Sequence, residues 1–179
     1  TARTSLVDMY LSSDNFEEYT CENDIIAGIN VANTFKLLKS ITNNDVLVMS
    51  INCKEFMNIE IHNESKKTCT KFALKLLDIN ENQIEVPDMT MTTITPMASV
   101  DFQRICRDMH NIGNIIEITR EGTHLKLQCM GDFANQETNI ECTEESPKIS
   151  GEYSLRYMNI FTKATSMCST VQIMQEEQN

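Results

Sequence analysis

"VDFQRICRDMHNIGN", Val100–Asn114, decides how the rest of the chain is read. At about 100° per residue, Phe102, Ile105, Cys106, Met109 and Ile112 share one face of a helix. Gln103, Arg104, Arg107 and Asn111 share the opposite face, with Asp101 and Asp108 to its flank. The centre of the outward face is left to arginine. That sorting stands out because the chain has 26 acidic and 15 basic residues and a net charge of −11. Such a chain repels nucleic acid in bulk, so any contact with DNA must be local, through cations gathered on one surface.

Two further segments have helical period, Val31–Ile41 and about Arg156–Thr165, and both repeat the sorting. In the first, Val31, Phe35, Leu38 and Ile41 form the apolar face, and Lys36 and Lys39 project away from it. In the second, Met158 and Phe161 are expected to face inward and Arg156, Asn159 and Lys163 outward. One such helix would be an ordinary solvated face. Three in so acidic a chain point to phosphate backbones, which are bound by charge without regard to sequence. Aromatics are only 6% of residues, so a single-strand stacking platform is not expected.

Elsewhere the pattern is alternation. Strands are expected at Thr4–Leu11, Asp24–Val31, Asp45–Ile51, Glu55–His62, Cys69–Leu77, Asn114–Arg120, His124–Met130 and Ser169–Met174. "SSDN", "TNND" and "REGT" read as turns between them. Many strands with a few short helices make the fold class α+β. A faint repeat, "INVANTFKLLKS…VLVMSI" against "YSLRYMNIFTKA…TVQIM", suggests two similar units. The acidic stretch "DINENQIEVPDMT", Asp78–Thr90, reads as the linker between them.

The seven cysteines form no C-x-x-C pair, and His62, His110 and His124 lack zinc-motif spacing. The thiols are read as buried and reduced, with no metal and no cofactor expected. No nucleophile–base pair or phosphate-cradling loop is present, so the chain is not read as an enzyme. No apolar run approaches the roughly 18 residues of a membrane span, and no membrane partner is expected.

"DFQRICRDMHNIG" followed by "LRYMNIFTKATSMCSTV" closely resembles the proliferating cell nuclear antigen family of DNA sliding clamps. "FKLLKSI", "KLLDINENQIEVP" and "GDFANQETNI" support the resemblance in the expected order, and the last has the style of a divergent, large-DNA-virus member. The resemblance implies a DNA clamp fold of two similar domains, each of antiparallel sheets with short helices lining a central channel. Residues 1–78 would be the N-terminal clamp domain, 79–91 the interdomain connector and 92–179 the C-terminal domain. It further implies a homotrimer encircling double-stranded DNA non-specifically and acting as a polymerase processivity factor in DNA replication and DNA repair. Lys36, Lys39, Arg104, Arg107 and Lys163 would face the DNA. Leu6, Ile84, Val86 and Met91 would form the pocket where replication and repair proteins dock short peptides. A clamp loader is implied, and localisation would be the nucleus, or a viral replication factory.

Departures from the family shape these expectations. The chain is expected to lack the family's first strand and lining helix and its last strands. Arg3 and Thr4 replace the usual His and Val of the pocket, and the Gly131–Gly151 region is short. The family's modification lysine has no counterpart among Asn135–Cys142. An alternative of a different class is a clamp-like interaction module that binds partner peptides without encircling DNA.

Overall fold

The computed structural model describes residues 6–78 and 91–176, and the chain separates into two compact units, a first of Met9–Glu85 and a second of Thr1–Asp8 with Val86–Asn179. In the first unit, helix α1 (Val31–Leu38) precedes strands β1 (Asp45–Ser50), β2 (Phe56–Asn63) and β3 (Thr68–Lys75), which form an antiparallel sheet in the order β1-β2-β3. Asn30 starts the helix by accepting a hydrogen bond from Asn33 N–H at 3.0 Å, which satisfies one of the unpaired amides of the first turn. The period of two along β2 sends Ile59 and Ile61 inward and leaves Glu60 and His62 on the other face.

The β2–β3 hairpin is fixed by side chains as well as by its ladder. Asn63 Oδ1 accepts from Lys66 N–H and Ser65 Oγ, each at 2.8 Å, and its amide donates to Asp45. Lys67 takes the left-handed conformation of the turn, with φ 52°. The backbone N–H of Thr42, then the Asn63 amide, hold the Asp45 carboxyl below the usual carboxylate range.

In the second unit, β4 (Thr93–Ala98) leads into α2 (Ser99–His110). Long strands β5 (Ile115–Met130) and β6 (Asn135–Ser154) follow, then α3 (Leu155–Phe161), a 3-10 turn at Thr162–Ser166, and β7 (Thr170–Gln175). β4 pairs with β7 and β5 with β6, both antiparallel. The core forms where Phe102, Ile105, Cys106 and Met109 of α2 meet Ile116, Ile118, Leu125 and Leu127 of β5, with Leu155 of α3. The inward stripe expected for Val100–Ile112 is thus in place, with Ile112 half-buried at its end.

Several sequence expectations are corrected. Leu6–Leu11 carries no strand, and Asp24–Val31 contributes only a bridge between Gly28 and Leu77. Alternation marks residues able to share a face, but a strand exists only where an edge pairs with it. "REGT" is a bulge inside a continuous β5, because Gly122 adopts φ +55° and the ladder shifts register on either side of it. The buried Arg120 guanidinium pins that irregularity by donating to the carbonyls of Gly122, His124 and Glu144. Such a buried charge is tolerable only because its donors are met.

The thiols divide. Cys106 and Cys129 are buried, whereas Cys21, Cys53, Cys69 and Cys168 are exposed. Burial pushes the Cys106 thiol up to about 12, so it stays protonated and packs as a small apolar group. Among the described residues no helix is long and apolar enough to cross a membrane.

Candidate nucleic-acid interface

Helix α2 lays its apolar stripe on β5 and turns Arg104 and Arg107 outward, both exposed. The helix is placed by its ends. Ser99 Oγ donates to the Cys168 carbonyl at 2.6 Å, and Ser99 N–H donates to the Ser169 carbonyl at 2.9 Å. At the far end Gly113 N–H donates to the Met109 carbonyl at 2.9 Å.

α3 and the 3-10 turn lie beside α2 and are tied to it by amide side chains. Gln103 Nε2 donates to the Thr162 carbonyl at 2.7 Å, and Asn159 Nδ2 reaches the Cys106 carbonyl at 3.4 Å. Gln103 immediately precedes Arg104, and Thr162 immediately precedes Lys163. The segments carrying Arg104, Arg107 and Lys163 are therefore adjacent parts of one helical layer, and all three side chains are exposed. Gln103 and Asn159, which hold that layer together, were not separable by periodicity from ordinary outward polar residues.

Arg104 is not a free cation. Its Nη2 donates to Asp101 Oδ1 at 3.0 Å, one helical turn back. Both partners are more than half exposed, and an exposed pair of this kind exchanges readily for another anion. Arg107, Lys163, Lys36 and Lys39 have no ionic partner among the described residues.

The reading of α3 needs correction. Leu155, fully buried, is its inward anchor, while Phe161 is 37% exposed and Asn159 is half-buried against α2. The α-helix ends at Phe161, so Lys163 belongs to the 3-10 turn and the 100° phase does not run through it. In the first unit Lys36 is on the last turn of α1 and Lys39 caps it, and both are exposed. The apolar face expected there is not covered among the described residues: Val31 is 73% and Phe35 64% exposed, and Thr34 is the buried residue of the helix.

Of the expected peptide pocket, Ile84 and Val86 lie outside the described residues. Leu6 is exposed and Met91 half-buried.

Comparison with known proteins adds an independent line. Residues 1–84 match the family model described as "Proliferating cell nuclear antigen, N-terminal domain", and residues 85–179 match its C-terminal counterpart. The chain is also 37% identical over 190 residues to a protein of Paramecium bursaria Chlorella virus 1 named "Probable DNA polymerase sliding clamp 1". That alignment covers 98% of this chain and 72% of the relative.

Proposed function

The chain belongs to the proliferating cell nuclear antigen family, and we infer that it is a DNA sliding clamp, a non-enzymatic processivity factor whose partners are DNA and a DNA polymerase. The observation that carries this reading beyond family membership is the helical layer of the second unit. There, exposed Arg104, Arg107 and Lys163 occur together in a chain of net charge −11. Cations of this kind hold DNA non-specifically, commonly at only ~10⁻⁴–10⁻⁶ M at physiological salt. A grip that weak permits sliding but does not keep the protein on its template. Closure around the duplex supplies the retention that affinity does not.

We assign Lys36, Lys39, Arg104, Arg107 and Lys163 as the DNA-facing residues, and a homotrimer loaded by a dedicated clamp loader as the working form. The domains would run from 1 to 78 and from 92 to 179, with 79–91 connecting them. The protein acts where DNA is replicated, which for a cellular member is the nucleus and for a viral one a replication factory. The deciding experiment is the mass of the protein in solution and its retention on DNA. A trimer held on closed circular duplex and lost when the circle is cut is expected. Stimulation of a polymerase without that difference would instead mark an interaction module that docks peptides and does not encircle DNA.

Partner docking is assigned to Leu6, Ile84, Val86 and Met91, which supply an apolar wall for a peptide bearing aromatic anchors. Ile84→Asp places a carboxylate in that wall. It is expected to weaken binding of a Gln-aliphatic-aromatic-aromatic peptide more than roughly tenfold, since loss of a hot-spot side chain costs about 2 kcal/mol or more. Oligomeric state should be unchanged. A peptide titration unaffected by the substitution would remove the connector from the docking site.

A further inference from the structure

On the face of the β2–β3 hairpin opposite Ile59 and Ile61, strand pairing sets His62 across from Cys69 and Glu60 across from Lys71. Glu60 Oε2 lies 3.1 Å from His62 Nε2, and Cys69 Sγ lies 3.9 Å from the same nitrogen. The carboxylate, imidazole and thiol atoms all fall within 4.8 Å of one another. Among the described residues no other group of metal-ligating side chains converges in this way.

We propose that Glu60, His62 and Cys69 form a surface zinc site, with a fourth position open to water or to a ligand from outside the hairpin. Tetrahedral zinc with bonds of about 2.0–2.3 Å to oxygen, nitrogen and sulfur sets neighbouring ligand atoms about 3.3–3.6 Å apart. The separations about His62 Nε2, 3.1 and 3.9 Å, lie on either side of that span, and the carboxylate and thiol, within 4.8 Å of each other, close on the metal by side-chain rotation. The donor set selects the metal class. Thiolate and imidazole favour zinc over magnesium or calcium, which take oxygen ligands.

The hairpin also supplies preorganisation. Asn63 locks the turn that joins the two ligand-bearing strands, which fixes the pairing of His62 with Cys69. Lys71 Nζ donates to Glu60 Oε1 at 2.8 Å and orients the carboxylate so that Oε2 is the atom presented beside the imidazole. On binding, the Cys69 sulfur bonds the metal and its proton leaves to solvent. His62 and Cys69 sit on different strands on either side of a turn, so no sequence motif for zinc records them.

The test is titration of the reduced, metal-free protein with Co²⁺ alone, followed by displacement with Zn²⁺. One equivalent of cobalt is expected to produce a near-ultraviolet thiolate charge-transfer band together with the visible bands of a tetrahedral ion, and zinc should abolish both. Cys69→Ser should remove the charge-transfer band. His62→Ala should weaken binding at least about tenfold, because loss of even an outer partner commonly costs 10- to 100-fold. Changing the other exposed thiols together, Cys21→Ser, Cys53→Ser and Cys168→Ser, should leave the band intact. A wild-type protein without a stoichiometric thiolate band, or a band that survives Cys69→Ser, overturns the site. Alkylation mapped by peptide mass on the wild type gives a check free of any folding defect in the variants. Zinc should slow modification of Cys69 at least tenfold, whereas an unchanged rate refutes the proposal.

Discussion

Replacing Arg104 and Arg107 together by glutamate is expected to cut polymerase processivity to near its unclamped level and to flatten the salt dependence of what remains. Each cation-to-phosphate contact releases about 0.9 of a condensed counterion, so log affinity should lose about 0.9 of its slope against log salt for each contact removed. Two arginines per subunit, repeated around the proposed ring, would make a large share of a non-specific interface. The fold should tolerate the change. Both side chains are exposed, the buried stripe of α2 is untouched, and the lost Asp101 pair is an exposed one that contributes little. Thermal midpoints of variant and wild type should therefore agree within a few degrees. Lys148→Glu is the control. It reverses an exposed cation on β6, 3.7 Å from Glu121 of β5, that belongs to none of the helical segments, and should leave processivity unchanged. If the double reversal leaves both stimulation and the salt slope intact, Arg104 and Arg107 do not meet DNA.

What could be read in advance follows from which signals are local. α2 was legible because its buried stripe, Phe102, Ile105, Cys106 and Met109, repeats at helical spacing over several turns. Its cations were legible because acids are missing from the centre of the opposite face. The Asp101–Arg104 pair was not, since a wheel gives the direction of a side chain and not its reach. β4 was missed because Pro96 reads as a breaker; it is accommodated opposite Gln172 in a sheet that has two strands among the described residues. β6 was missed because its alternation is carried by half-buried Gln136, Thr138, Ile140 and Cys142, too polar a set to register as a buried face. Phe161 and Asn159 take each other's expected environments because Leu155, not Met158, is the buried residue that sets the phase of α3, and Asn159, four residues on from it, is thereby turned toward α2. The strand expected at Thr4–Leu11, of which residues 6–11 carry none, and the one expected at Asp24–Val31 differ for another reason, because partner edges are a property of the fold and not of the string. The zinc cluster belongs to the same class, since only the ladder brings residue 62 to residue 69.

A methyl group at position 131 is expected to destabilise the second unit more than any conservative surface change. The end of α2 and the end of β5 cross with their backbones in direct contact, and a glycine on each side makes this possible. A Cβ on Gly131 would collide with the carbonyl oxygen of Ile112 and lie 2.7 Å from its carbonyl carbon. A Cβ on Gly113 would lie 2.7 Å from the Met130 carbonyl oxygen and 2.8 Å from Cys129 Sγ. Both methyls meet peptide backbone, which has no rotamer to change, but the overlap at 131 with the Ile112 carbonyl is much the deeper, whereas at 113 the nearest atom, the Met130 carbonyl oxygen, is still 2.7 Å away. Gly131→Ala should therefore cost about 3 kcal/mol, the upper part of the usual overpacking range. That outweighs the roughly 0.4–1 kcal/mol that alanine recovers by restricting the unfolded chain. Gly113→Ala should cost less. The double variant should fall short of the sum, because either methyl alone already separates the same two segments. Since Met109 and Arg107 sit in the last turn of that helix, the first loss should appear as loosened packing beneath the arginines proposed to face DNA, with processivity falling at temperatures where the wild type still works. Denaturant midpoints of the single and double variants test the argument directly, and a Gly131→Ala protein within about 0.5 kcal/mol of wild type, the range of an ordinary surface substitution, would show that the two backbones are free to part.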